Sequence, residues 1–218
     1  MVRRWGALAV VLGLAGVVVV VLWTPVLGVR SVDVEGVRDL TTAQVVAAAD
    51  VRPGTPMFRL DTVGIMARVA LLPRVAAVDV SRDWPSTVRI TVTERDPVGV
   101  LAEPDGMHLV DSTGLDYATV ATAPAGLPKI QIPAASPHDP RTQAVVRVLA
   151  ALPTQLRAQT IAISADTPGS VTLALASGKT IRWGDAEDSA RKAAVLGALM
   201  TRPGRVYDVS SPDLPTIS

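Results

Sequence analysis

Residues 78–95 read VDVSRDWPSTVRITVTER. Val78, Val80, Arg82 and Trp84 fall on one face of an extended segment, and Asp79, Ser81 and Asp83 on the other. Pro85-Ser86 turns the chain. Val88, Ile90, Val92 and Glu94 then alternate with Arg89, Thr91, Thr93 and Arg95. Two period-2 runs around a tight polar turn make a hairpin. One face carries Val, Ile and Trp and has to be covered by another layer. Trp84 is expected to be a core side chain at a strand end. Glu94, on the apolar face, is expected in a structural ion pair, with Arg82 a suitable partner.

The cover is encoded just upstream. Val29–Val34 alternates as a short strand that ends at Gly36. Thr41 is placed to cap a helix, with Gln44 completing a capping box. Val45, Val46 and Ala49 give that helix an apolar side, and Pro53-Gly54 stops it. Asp61 can cap a second helix with Val63, Met66, Ala70 and Leu71 at helical spacing, ended by Leu72-Pro73. Residues 29–97 therefore read as a strand-helix-helix-strand-strand unit in two layers.

Before this unit, Trp5 to Val29 contains no charged residue. About 20 apolar residues suffice to cross a bilayer as a helix. Trp5 and Trp23 are separated by about 27 Å at 1.5 Å per residue, which suits one Trp at each interface. Residues 5–27 are expected as a single transmembrane helix after a cytoplasmic tail, residues 1–4. Arg3 and Arg4 precede the span and Arg30 follows it, so the positive-inside rule places residues 30–218 outside the cytoplasm. A cleaved signal peptide is the rival; the run is longer than such an apolar region and no A-x-A site follows.

Residues 98–218 read as strand-rich. Val98–Leu101 and Met107–Val110 flank the turn Glu103-Pro104-Asp105-Gly106, and Asp111–Gly114 turns the chain into Leu115–Tyr117. The 111–116 segment lacks the acidic spacing of a calcium loop and reads as an ordinary turn. Lys129–Ile132 is a short strand, 139–151 a helix, and Ile161–Ile163 a strand. Val171–Leu175 and Ile181–Trp183 form a hairpin around Ser177-Gly178. Asp185 is expected to cap a helix over 186–201, with Glu187/Arg191 and Asp188/Lys192 as i,i+4 pairs. Val206–Val209 and Ser211–Ile217 close the chain as extended segments. The expected fold class is thus α+β: one transmembrane helix, a β-α-α-β-β unit, and a β domain with two helices.

Composition removes several functions. The formal net charge is +1, which is no basic footprint for nucleic acid. There is no cysteine and there are two histidines, which excludes disulfide scaffolds, thiolate nucleophiles and three-histidine zinc sites. No G-x-S-x-G, H-E-x-x-H or Walker loop occurs. His108 and His138 are expected at the surface. No catalytic residue, cofactor, metal ligand or small-molecule substrate is expected.

Four short motifs occur in order: Val34-Glu35-Gly36, Leu72-Pro73-Arg74-Val75 running to Val78, Arg82-Asp83-Trp84-Pro85, and Glu94-Arg95-Asp96-Pro97-Val98. Behind a signal anchor they resemble the POTRA domain of the FtsQ/DivIB family of bacterial cell-division proteins. In the second half, Leu109-Val110-Asp111 with Gly114, Leu127-Pro128-Lys129-Ile130, Gly178 through Gly184 with Lys192-Ala193 and Leu196, and Tyr207-Asp208-Val209-Ser210 resemble the family's β domain. The resemblance covers nearly the whole chain. The cytoplasmic tail of about four residues departs from it, as does the absence of a charged tail after Ser211.

The resemblance implies a non-enzymatic scaffold in the cell (inner) membrane, concentrated at the division septum. It implies FtsB/DivIC-type and FtsL-type membrane proteins, with other divisome components, as partners. An open sheet edge can take up a partner strand, and in the family that edge is the last strand. The candidate partner-binding residues are Tyr207, Val209, Ser211, Asp213, Leu214, Thr216 and Ile217, with Pro212 and Pro215 limiting the ladder. A POTRA protein of polypeptide transport or envelope assembly is the alternative; such proteins carry tandem copies and a membrane barrel, for which this chain has no pattern.

Overall fold

The computed structural model describes residues 27–218 together with Gly13 and Gly16. The expected tail 1–4, and the expected span 5–27 apart from Gly13, Gly16 and Leu27, lie outside the described residues. Among the described residues no helix is long and apolar enough to cross a membrane. The chain divides into two compact units between Arg95 and Asp96.

The first unit has the order β1 (Ser31–Glu35), α1 (Thr42–Ala49), α2 (Thr62–Val69), β2 (Val75–Asp83) and β3 (Thr87–Glu94). Alternation pairs Val80 with Ile90 and Arg82 with Val88 across the antiparallel hairpin. β1 lies parallel on the other side of β3, with Val32 opposite Val88 and Val34 opposite Ile90. β3 is therefore central, and its inward residues Val88, Ile90 and Val92 are buried. Val45 and Ala49 of α1 and Ile65 and Val69 of α2 belong to the same core. Burying each Val or Ile contributes about 1.5–3 kcal/mol.

Local chemistry sets both helix starts. The Gln44 N–H donates to Thr41 Oγ1 at 3.2 Å and the Thr41 N–H donates to Gln44 Oε1 at 2.8 Å, which closes the capping box. The Gly64 N–H donates to Asp61 Oδ1 at 2.9 Å. At Gly36, φ is +83° and an added Cβ would lie 2.1 Å from the Val92 carbonyl oxygen. Only glycine lets β1 turn away this close to β3.

Three expectations fail here. The buried stripe of α2 is Ile65 and Val69, while Val63 and Leu71 are 72% and 81% exposed. The helix is rotated so that an i,i+4 pair, rather than the wider set, meets the sheet. Trp84 is 52% exposed, because the hairpin runs on past the residues that the helices cover. Glu94 is buried, and the arginine whose charge acts on it is Arg38 rather than Arg82; an Arg38 guanidinium N–H also donates to the Glu94 backbone carbonyl at 3.4 Å. Its carboxylate accepts the N–H groups of Arg38 (2.6 Å), Asp39 (3.1 Å) and Leu40 (3.0 Å). Burial pushes its carboxyl up, but the three donors together hold it below the ordinary value. Arg82 instead donates to the carbonyls of Met57 and Leu60 at 2.8 and 2.6 Å.

The second unit is a nine-stranded sheet. Its strands are β4 (Pro97–Glu103), β5 (Gly106–Asp111), β6 (Asp116–Val120), β7 (Lys129–Gln131), β8 (Thr160–Ala165), β9 (Val171–Leu175), β10 (Thr180–Gly184), β11 (Val206–Asp208) and β12 (Thr216–Ile217). Their order across the sheet is β12-β11-β10-β9-β8-β7-β4-β5-β6. The helices are α3 (Pro140–Ala151), α4 (Thr154–Gln159) and α5 (Ser189–Leu199). α4 is one more helix than the two expected; the Leu152-Pro153 step ends α3, and Pro153 stands as the N-cap of α4. Val145, Val148 and Leu149 of α3 and Leu196 of α5 share one core with Ile130, Ile163, Leu173, Ile181 and Trp183. A smaller cluster, Val100, Leu109 and Tyr117 beside Leu115 and Leu127, serves β4, β5 and β6.

Candidate partner-binding edge

β12 forms one edge of the large sheet. β10 runs parallel to β11, which places α5 on the crossover between them. Trp183 on β10 is fully buried, and its Nε1–H donates to Ser189 Oγ at the start of α5 at 3.2 Å. Lys192 is also buried, and its Nζ donates to Asp185 Oδ1 at 2.6 Å and to the Asp185 carbonyl at 3.2 Å. The hydrogen bond from Lys192 holds the Asp185 carboxyl below the usual carboxylate range.

This corrects three expectations about α5: the Asp185 cap, the Asp188/Lys192 pair and the Glu187/Arg191 pair. Asp188 stands at its N-cap with positive φ and makes no side-chain cap, while Asp185 acts as the partner of Lys192. Arg191 pairs with Asp213 rather than with Glu187. A buried ammonium needs a carboxylate more than an exposed helix surface needs an i,i+4 pair.

Tyr207 anchors β11. Its ring is fully buried, and its hydroxyl donates to the carbonyls of Arg202 (2.8 Å) and Gly204 (3.2 Å). Lys179 Nζ stands 5.1 Å from the ring centroid. β12 is antiparallel to β11, with Tyr207 opposite Ile217 and Asp208 opposite Thr216. Val206 and Ser218 exchange both backbone hydrogen bonds, at 2.8 and 3.0 Å. Antiparallel pairs alternate, so Thr216 and Ser218 turn their backbone groups toward β11. The N–H and C=O of Ile217 and the C=O of Pro215 then point to the open side. Ile217 seats its side chain over Gly204, where an added Cβ would lie 2.2 Å from Ile217 Cγ2.

The seven candidate residues separate into two groups. Tyr207 and Val209 are fully buried and face the core, so they can hold the edge but not touch a partner through their side chains. Ser211, Asp213, Leu214 and Thr216 are exposed and Ile217 is half-buried. The expected extended segment Ser211–Ile217 is a strand only at Thr216–Ile217. Residues 210–214 turn instead: the Ser210 N–H donates to Asp208 Oδ1 at 3.0 Å and the Leu214 N–H to the Ser211 carbonyl at 3.0 Å. Pro212, which has no N–H, sits inside that turn. Gly204 and the Asp185–Lys192 pair also build the edge. Gly204 has no signal in the sequence, and although Asp185 and Lys192 both stand out there, their pairing with each other is made only across the β10–α5 turn.

The histidines lie elsewhere. His108 Nδ1 is 2.5 Å from Asp116 Oδ2 and its Nε2 is 2.9 Å from Asp105 Oδ1. The bond to Asp116, followed by that to Asp105, raises its pKa. The two ring nitrogens thus tie β5 to Asp116 on β6 and to Asp105 in the β4–β5 turn. His138 is exposed. The Asp111 carboxylate accepts from the Thr113 and Leu115 N–H groups at 2.8 and 3.0 Å, as a turn does. Among the described residues no cluster of three His, Asp or Glu side chains could hold a metal ion.

Two family models match this chain: the FtsQ-type POTRA domain over residues 27–95, and the C-terminal domain of the cell division protein FtsQ/DivIB over residues 100–214. The chain belongs to the FtsQ/DivIB family. It is 43% identical over 216 residues to the cell division protein FtsQ of Mycolicibacterium smegmatis, covering 99% of this chain and 64% of that protein. Identity to FtsQ of Mycobacterium tuberculosis is 43% over 195 residues, covering 89% and 62%. Identity to FtsQ of Streptomyces venezuelae is 39% over 201 residues, covering 87% and 74%. The chain thus spans a little under two thirds of the length of the mycobacterial FtsQ proteins.

Proposed function

We propose that this chain is a non-catalytic scaffold of the division septum. Residues 5–27 anchor it in the cell membrane, residues 1–4 are cytoplasmic, and the units at 29–97 and 98–218 stand outside. It binds FtsB/DivIC-type and FtsL-type membrane proteins and so connects early and late division components. The observation that carries this reading is the β11–β12 edge. Ile217 offers one donor and one acceptor on the open side, Pro215 adds an acceptor, and Leu214 is 80% exposed beside them. An extended partner segment can add there by main-chain hydrogen bonds, with side chains setting specificity.

Deleting residues 211–218 tests the reading. The truncated chain is expected to insert in the membrane and keep a folded first unit, yet to lose capture of an FtsB-type partner and fail to support division. Unchanged capture would move the binding surface elsewhere, with Arg89, Thr91 and Thr93 on the outer hairpin face next. A reporter fused after Ser218 is expected to be active only outside the cytoplasm.

A further inference from the structure

β1 and β3 run parallel, so their starting ends coincide. Arg30 N–H donates to the Ser86 carbonyl at 2.8 Å, and Ser31 is opposite Thr87. Gly28 bridges to Pro56, and the Val29 N–H donates to the Thr55 carbonyl at 2.9 Å. Arg82 ties the same end of β2 to Met57 and Leu60. Three segments, 28–31, 54–60 and 82–87, therefore form one end of the first unit. The uncharged run that starts at Trp5 continues to Val29, so the expected span 5–27 is followed directly in sequence by these pairings. Trp84 is two residues from Ser86, within about 7 Å of chain.

That end has a distinct chemistry. Trp84 is 52% exposed. An indole has an apolar body and one N–H, and it settles at the boundary between acyl chains and headgroups. Phe58 is half-buried nearby in sequence to Met57, and Arg30, Arg52 and Arg59 are exposed. Guanidinium groups bind phosphate in a bidentate fork. Of the carboxylates near this end, Asp83 pairs with Arg89 at 2.8 Å, Asp61 caps α2, and Asp50 lines one surface depression with Arg52 and Arg59; Arg59 stacks on Phe58, 5.7 Å from the ring centroid. Leu71, 81% exposed, lies at the opposite end of the unit, where α2 leads into β2.

We propose that this end of the first unit, Trp84 with Phe58, Arg30, Arg52 and Arg59, seats on the lipid headgroups of the membrane that residues 5–27 enter. The contact fixes the unit's orientation on the bilayer rather than leaving it on a free tether. The proposal rests on the anchor reading above, and the test separates the two.

The full chain with Trp5→Phe and Trp23→Phe leaves Trp84 and the fully buried Trp183 as its indoles. It is reconstituted into vesicles of phosphatidylcholine and phosphatidylglycerol whose acyl chains carry bromine near the headgroup. Flotation reports the anchor, and quenching reports the contact. The expected result is co-flotation, a blue-shifted Trp84 emission, and quenching of that emission by brominated but not by unbrominated lipid. A further Trp84→Phe removes the quenchable signal, and Arg30→Gln with Arg52→Gln and Arg59→Gln reduces it. A nitroxide on Leu71→Cys is expected to stay in water. Co-flotation with unquenched, unshifted Trp84 would overturn the proposal and leave the anchor standing. Failure to float with the vesicles would overturn both.

Discussion

The large sheet ends in two different edges. β6 has five residues, and its pairing with β5 shifts register between Leu109 and Val110. Asp116 on β6, His108 on β5 and Asp105 in the β4–β5 turn gather beside it. A bulge and charges are how proteins blunt an edge against unwanted pairing. β12 has two residues, and its neighbours are Pro215, the exposed Leu214 and the half-buried Ile217. The longer edge is thus the guarded one, and the shorter edge keeps apolar side chains beside its backbone groups. If β12 is the docking edge proposed above, what surrounds its backbone groups rather than its length sets it apart.

Replacing one buried tyrosine on each side gives the largest effect. Tyr207→Ala empties a fully buried site and releases the carbonyls of Arg202 and Gly204; a loss of about 3–5 kcal/mol is expected. Tyr117→Ala falls in the small cluster and is expected to cost about 2 kcal/mol. Thermal unfolding measures both, and partner capture is expected to fall only for Tyr207→Ala. Equal loss of capture from Tyr117→Ala would break the distinction between the edges.

Gly204→Ala is next. The new methyl meets Ile217 Cγ2 and displaces the end of β12. A destabilisation of about 1–2 kcal/mol is expected. Affinity for the partner, read by titration, should fall about tenfold if most of that loss reaches the edge.

The two edges should respond to pH with opposite sign. The folded pKa of His108 is raised, so its contribution is full below its unfolded value of 6.5 and is lost as pH rises through the folded value. The folded pKa of Asp185 is lowered, so its contribution is present above its unfolded value of 3.8 and is lost as pH falls through the folded value. Hydrogen exchange, corrected for intrinsic rates, should show the β6 amides less protected at alkaline pH than near pH 6. His108→Gln should abolish that change and leave partner capture intact. A β6 response that survives His108→Gln would place its cause elsewhere.

The smallest effect belongs to Leu214→Ala. An 80% exposed side chain changes stability by less than about 0.5 kcal/mol. Capture should weaken only modestly, because the main-chain ladder supplies much of the affinity. A total loss of capture from this change alone would make Leu214 the anchor and the backbone secondary.

Alternation and capping made the first unit legible from its residues. Val88, Ile90 and Val92 had to share one face, and Thr41, Gln44 and Asp61 had to sit at helix starts, because these are local rules of period and of unsatisfied N–H groups. The same rules placed the β9–β10 hairpin and α3. They do not say how far a helix reaches over a sheet, so alternation puts Trp84 on the core face although the side chain is half-exposed. They could not show that three amides would converge on Glu94, because residues 38–40 meet residue 94 only after β1 and β3 pair. α5 shows the same limit: Asp185 has the sequence of a cap, and a buried Lys192 makes it an ion-pair partner. At the last edge, the residues Ser211 to Ile217 carry the composition of an extended segment, while Asp208 and Pro212 turn most of it away and leave two residues in the ladder. Period and capping are properties of neighbours along the chain; burial, partner choice and edge length belong to groups that only the folded sheet brings together.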